Sequence, residues 1–245
     1  MQSVTTQDLP AHGRLTKLST ANVSQLALES IRAAIINQTL PPGSRILESV
    51  LAGQLNVSKT PVREALITLR EIGLIEPGGR QGDRVVRRSR ETLQHAYDIR
   101  EGLEVFAVRC AAERSLPEQR EQIRSEAARS LEGVLTGDLS LFHDCDTTFH
   151  RAITNVAANP HLSRIVENTF TLIATLRERD LRDQSVSIRC GEQHVAIAAA
   201  IDARDPESAE KLLREHIRYV GERVIADMEK TLQDPDAGGS PADEA

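Results

Sequence analysis

Beyond Arg90 the chain offers no run of alternating apolar and polar residues from which a strand could be built. It offers six stretches with apolar residues at helical spacing, over about 90–114, 117–136, 139–157, 160–183, 187–203 and 206–231. Between them stand Leu116-Pro117, Gly137-Asp138, Asn159-Pro160, Asp183 to Ser185, and Asp205-Pro206, residues that stop helices. Helices of roughly 20 residues with short connections can hide their apolar stripes only against one another. Residues 89–231 are therefore expected to form an all-α antiparallel bundle.

Residues 18–88 follow another pattern. A first helix is expected over 22–38, with Val23, Ala27, Ile31, Ala34 and Ile35 on one face, stopped by Leu40-Pro41-Pro42-Gly43. A second runs over 48–55, with Leu51, Ala52 and Leu55 inward. After the turn Asn56-Val57-Ser58, a third begins with Ser58 or Thr60 as its cap and Pro61 in its first turn, where a missing N–H costs least. It carries Val62, Ala65, Leu66 and Leu69 inward and ends at Gly73. Leu74 to Glu76, the turn Pro77 to Asp83, and Arg84 to Val86 read as a β-hairpin. The fold class is thus mainly α: three helices with a hairpin, then a helical bundle. Residues 1–17 are expected to be a flexible arm. Residues 232–245, polar and rich in Pro and Gly, are expected to be a disordered tail.

Charge divides along the same line. The 245 residues carry a net charge of −6, which taken alone argues against a nucleic-acid partner. Yet Arg14 to Arg90 holds twelve basic and six acidic residues, and everything after it 18 basic and 29 acidic. A basic module is joined to an acidic one. Aromatic residues are only 2%, with no Trp, so the basic module lacks the stacking platforms of single-strand binders. No apolar run approaches the roughly 20 residues needed to span a bilayer, and Met1 to Gly13 lacks a signal-peptide core. Three well-separated cysteines, Cys110, Cys145 and Cys190, suit a reducing cytoplasm.

Two helices joined by a short turn, the second opening on cations, have the geometry of a major-groove reader. Lys59, Thr60 and Arg63 cluster at that opening, where the helix dipole also favours phosphate. Arg63 can reach a guanine edge with two donors, and Lys59 and Thr60 can serve base or phosphate. Arg70 lies two turns on, and Arg80, Gln81, Gly82 and Arg84 occupy the hairpin as a wing would. The segment Leu40-Pro41-Pro42-Gly43-Ser44-Arg45, Leu51-Ala52, Val57-Ser58-Lys59-Thr60-Pro61-Val62-Arg63-Glu64-Ala65-Leu66, then Leu69, Gly73, Leu74 and Ile75 closely resembles the winged helix-turn-helix of the GntR family of bacterial transcription regulators. The resemblance implies double-stranded operator DNA as partner, with contacts from Arg63, Lys59, Thr60 and Gly82; Arg45, Arg70 and Arg80 join the candidates. The chain departs from the family at Ser49, where some members carry a contacting arginine, and in a wing richer in glycine and acid.

In the bundle, polar residues interrupt apolar faces. Asp146 and His150, one turn apart, share a stripe with Phe142, Phe149, Ile153 and Ala157. His194 sits among Cys190, Ile197, Ala198 and Ile201; His216 sits among Leu212, Leu213, Ile217, Val220 and Val224. Both His194 and His216 stand 11 residues from Asp205 at the intervening turn, about 16 Å away along each helix, so the two would meet at one height. A carboxylate on an apolar face costs several kcal/mol unless neutralised or coordinated. One carboxylate and three imidazoles suit a divalent ion, zinc first, with Ni, Mn, Fe or Co as alternatives. Asp146-Thr147-Thr148-Phe149-His150, Glu192-Gln193-His194 and Glu215-His216 resemble the metal-ligand pattern of the FCD domain of FadR-type GntR regulators. The resemblance implies an effector pocket above the metal and a small carboxylate as effector. Arg100 is then the leading cation to meet it, bordering an expected inward stripe of Ala96, Ile99, Leu103, Phe106 and Cys110; Arg151 and Arg177 follow.

The expected function is a homodimeric, cytoplasmic, ligand-responsive transcription regulator, a repressor released by its effector, and not an enzyme. Two other readings stand beside it: a metal-dependent hydrolase or lyase with Glu192 as base and an accessory DNA-binding module, and a regulator for which the metal is the signal.

Overall fold

The computed structural model describes residues 20–79, 82–176 and 184–233. Among these, α1 (Thr20–Ile36), α2 (Glu48–Leu55) and α3 (Lys59–Ile72) precede a hairpin of β1 (Ile75–Glu76) and β2 (Arg84–Val85). Six further helices follow: α4 (Arg90–Arg114), α5 (Pro117–Thr136), α6 (Leu139–Val156), α7 (Pro160–Leu176), α8 (Gln184–Asp202) and α9 (Pro206–Gln233). The breaks stop the helices by the means expected. Gly73 and Gly137 close α3 and α5 in the left-handed conformation, and the Asp138 side chain caps α6 by accepting from the Leu141 N–H at 3.0 Å. One stop differs: α1 ends at Ile36, before the prolines, because Gln38 already turns left-handed at φ 62°. The expected helix 160–183 is described only to Leu176, and the expected arm and tail lie outside the described residues.

Two cores form. The first gathers Ile31, Ile35, Val62, Leu66, Leu69 and Val85; the second begins at Val86 and runs through the bundle to Met228. Leu172 of α7 packs against both, and both α1 and α3 touch α7, so the two parts share an interface. The wing is reinforced in a way the sequence pattern did not reveal. Residues 43–46 pair with β2 as an added edge, through Gly43 N–H to Val85 O at 2.9 Å, Val85 N–H to Ser44 O at 2.9 Å and Ile46 N–H to Asp83 O at 2.8 Å.

In the bundle, α4 lies centrally against α6, α7, α8 and α9. Its inward face keeps Ala96, Leu103 and Cys110 of the expected stripe but not Ile99 and Phe106. Ile99 and Phe106 are 50% and 52% exposed, while Leu93, Tyr97, Arg100, Glu104, Val108 and Ala111 are buried. The helix is rotated to put Arg100 and Glu104 inside. Glycine decides one approach: a Cβ on Gly191 would fall 2.9 Å from Leu131 Cα, so only glycine lets α8 lie this close to α5. No helix among the described residues is long and apolar enough to cross a membrane.

Candidate functional site

Asp146, His150, His194 and His216 converge from α6, α8 and α9, with their ligand atoms all within 4.8 Å of one another. The three imidazoles are at most 1% exposed. His194 Nε2 stands 3.4 Å and His150 Nε2 4.0 Å from Asp146 Oδ1. His194 and His216 face each other with ring centroids 4.7 Å apart, as their equal distance from the turn requires.

Each ring is held by its other nitrogen. His150 Nδ1 lies 2.5 Å from Glu104, His194 Nδ1 lies 3.0 Å from Ser130 Oγ, and His216 Nδ1 lies 3.1 Å from Gln193 Oε1. Holding Nδ1 in this way turns the Nε2 lone pair toward a common centre. His150 Nε2 and His216 Nε2 are buried there with no hydrogen-bond partner. Buried polar atoms left unsatisfied cost about 1–3 kcal/mol each. Two imidazole nitrogens without partners, a third beside a carboxylate, and rigid support behind all three form a donor set that fits a divalent ion. Sequence reasoning missed Glu104 and Ser130, and it quoted Gln193 beside His194 without giving it a role. Glu104 left a local trace, four residues after Arg100 on one helix face.

Glu104 is fully buried and serves two partners, His150 and, at 2.6 Å, Arg100 Nε. Burial opposes its charge, but His150 and Arg100 outweigh burial and hold its carboxyl down to about 2. Burial also pushes His194 down to about 3, although Asp146 pulls the other way, and sends His216 well below its ordinary value. These two imidazoles are therefore neutral in the folded chain, while in the unfolded chain they protonate near pH 6.5. The unfolded state binds more protons below that pH, so stability rises with pH from about 3 to 6.5 and is lost on acidification. For the metal-stripped protein, the expected result is a thermal midpoint that falls from about pH 7 to about pH 5. A flat midpoint over that range would contradict this burial.

Beside the cluster opens a cavity of about 430 Å³, whose wall includes Asp146, Thr147, His150, Arg100, Phe170 and, from α1, Arg32. Arg100 is 5% exposed, with its guanidinium carbon 5.2 Å from the Phe170 ring centre. Burial disfavours its charge, but Glu104 more than restores it, so a fixed cation faces the cavity. Arg151 also lines the wall, but it is paired twice with Glu167, at 2.6 Å each. An anion would have to compete for it. Arg177 lies outside the described residues.

In the first domain, α3 opens on exposed Lys59 and Thr60. Ser58 stands at the cap position without a side-chain hydrogen bond, leaving first-turn N–H groups unclaimed by it. Arg63 is exposed and forks onto Glu48 at 3.1 and 2.8 Å. An exposed pair of this kind contributes about 0–1 kcal/mol, so its exchange for DNA is cheap. Arg45 is exposed beside Gly82, where an added Cβ would meet Arg45 Nε at 3.5 Å. Arg70 departs from expectation. It is half-buried and donates twice to Asp83, at 3.1 and 2.8 Å, tying the wing to α3 rather than facing outward. The same contact neutralises the acid that made the wing unusual. Arg80 and Gln81 lie outside the described residues.

Comparison with known proteins matches residues 24–85 to the profile described as bacterial regulatory proteins, gntR family, and residues 95–219 to the FCD domain. The chain is 32% identical to a probable D-xylose utilization operon transcriptional repressor of Paenarthrobacter nicotinovorans, over 82% of this chain and 88% of that protein. It is 26% identical to the HTH-type transcriptional repressor RspR of Escherichia coli, over 84% of this chain and 90% of that one. Among solved structures, E. coli McbR/YncC superposes with a TM-score of 0.64 at 22% identity, covering 85% of this chain and 98% of that one, a likeness of fold.

Proposed function

Because the chain belongs to the gntR family of bacterial regulatory proteins and carries an FCD domain behind its DNA-binding domain, we propose that it is a metal-loaded transcriptional repressor released from its operator by a small carboxylate. The observation that carries the sensing half is the pair of buried, unpartnered Nε2 atoms of His150 and His216, gathered with His194 and Asp146 in one cluster whose Asp146 and His150 line the cavity that Arg100 also lines. A divalent ion bound by these four residues would supply a second positive charge facing the cavity. The residues themselves do the rest: Glu104 orients both His150 and Arg100, so the metal end and the cation end are set by one carboxylate. A carboxylate in the cavity would meet charge on two sides and the Phe170 ring on another. The chain is a regulator and not an enzyme. The enzyme alternative rested on Glu192 as base, and Glu192 is exposed and absent from the cavity wall.

The reading half rests on Lys59, Thr60 and Arg63 at the opening of α3, with Arg45 and Gly82 beside the wing. The proposed setting is the cytoplasm, where the operator is. To test the whole, an operator would be selected from a random duplex pool with the full chain, then titrated with carboxylates before and after chelation of metal. Release that needs both carboxylate and metal is the expected outcome. Release by chelation alone would instead make the metal the signal.

The face of α4 that turned outward offers the dimer surface. Ile99 and Phe106 are half-exposed on one side of the helix, and the position of a Cβ on Gly102 between them is open space. A second copy covering this face would bury both apolar side chains and set two reading heads for two half-sites. Each Phe106, already about half-buried, would contribute about 0.8–1.5 kcal/mol more, twice per dimer, and a glutamate there would add the cost of burying a charge. Phe106→Glu is therefore expected to raise the dimer dissociation constant at least about a hundredfold by analytical ultracentrifugation. A variant that remains dimeric at micromolar concentration places the interface elsewhere.

A further inference from the structure

The wall of the effector cavity does not belong to the sensing domain alone. Arg32 and Ile36, one turn apart on α1 of the DNA-binding domain, line the same cavity as Arg100, Asp146 and His150. Arg32 is half-buried and forms no hydrogen bond or ion pair among the described residues. The other cations on that wall are already engaged: Arg100 by Glu104 and Arg151 by Glu167. A guanidinium lining a cavity without a carboxylate partner can take an anion there, because Arg stays charged and its planar fork matches a carboxylate or phosphate. The cavity, at about 430 Å³, has room for more than one acid group.

We propose that Arg32 is the second anion contact of the effector site, so that the effector is a dianion held at one end by Arg100 and the metal-bearing cluster and at the other by the DNA-binding domain itself. The inference rests on the carboxylate reading above and sharpens it: an α,ω-dicarboxylate, or a carboxylate with a distal phosphate, fits better than a monocarboxylate. It also supplies a route for the signal. Ile31 and Ile35, on the same helix as Arg32, are buried in the core shared with Val62, Leu66 and Leu69 of α3. Ser24 of α1 also donates to Glu64 of α3. A ligand clamped between Arg32 and Arg100 fixes α1, and with it the recognition helix, against α7. Binding that differs between head positions is what a switch requires.

The test uses the full, zinc-loaded chain and a matched panel of monocarboxylates and α,ω-dicarboxylates with the same number of carbons, titrated by calorimetry. A charge-assisted contact contributes about ten- to a hundredfold in affinity, so the best dicarboxylate is expected to exceed its monocarboxylate by that factor. Arg32→Ala should abolish the preference, and Arg32→Lys should restore part of it. Hydrogen exchange is the second readout. The dicarboxylate should protect α1 along with α4 and α6 in the parent, and only α4 and α6 in Arg32→Ala. Equal affinity for both classes, or a preference that survives Arg32→Ala, overturns the role of Arg32 while leaving the carboxylate site in place. Failure of both classes to bind the zinc-loaded parent overturns the carboxylate reading itself, and this inference with it. A carboxylate–phosphate pair added to the panel separates the two distal groups.

Discussion

A Lys59→Ala, Arg63→Ala double variant should keep its fold and lose about two to three orders of magnitude in operator affinity. Both side chains stand at the opening of α3 and are exposed, Arg63 at 60%, so neither removal leaves a hole in the core. The only described partner Arg63 gives up is Glu48, in an exposed pair that contributes little. A bidentate arginine on guanine discriminates by about 1–3 kcal/mol, and a dimer uses it twice. Lys59 acts differently. As a phosphate contact it should weaken binding to all sequences alike and lower the slope of log affinity against log salt by about one per copy. Anisotropy titrations of the single and double variants across a salt series separate the two roles. A double variant that binds the selected operator like the parent at moderate salt would move the reading surface away from α3.

Chelation is expected to produce the other large effect, on stability. An ion bound only by the folded chain stabilises it by about 4 kcal/mol when it is a thousandfold above its dissociation constant. For a domain of this size that corresponds to a drop of roughly 10–20 °C in thermal midpoint on stripping the metal. His194→Ala should start from the stripped midpoint and show no further response to chelator. Ser130→Ala, which only releases His194 Nδ1, should keep the metal with an affinity about 10–100-fold weaker. Metal content by mass spectrometry, read beside the melting curves, checks the assignment. A purified protein with no metal, and no midpoint shift on adding zinc, nickel or manganese, would leave the four side chains as a polar core cluster only.

Much of this site was legible before the fold was known. Asp146 and His150 are one helical turn apart on an apolar stripe, and a charge or imidazole on such a stripe signals itself. His194 and His216 could be placed at one height because a single turn separates two straight helices. The stripe on α4 held in part. Of Ala96, Ile99, Leu103, Phe106 and Cys110, Ile99 and Phe106 turn outward, because the buried face also contains Arg100 and Glu104, which satisfy each other and His150. A hydrophobicity pattern cannot see a buried ion pair, and it reads exposed apolar side chains as core. Arg70 is tied to the wing for a related reason. Its partner Asp83 comes from across the hairpin, and no helical spacing connects them.

By itself the sequence determined where the chain breaks between helices, since capping, proline and glycine act within a few residues of backbone. It also carried the partition of charge between a basic DNA-binding domain and an acidic helical domain. What only the tertiary structure decided is which faces meet. The approach of α8 to α5 at Gly191 brings His194 to Ser130, the rotation of α4 puts Glu104 behind His150, and the docking of α1 on α7 places Arg32 in a cavity of the other domain. Such contacts depend on how side chains of distant segments interdigitate, which is a property of the packed assembly and not of any one stretch of chain.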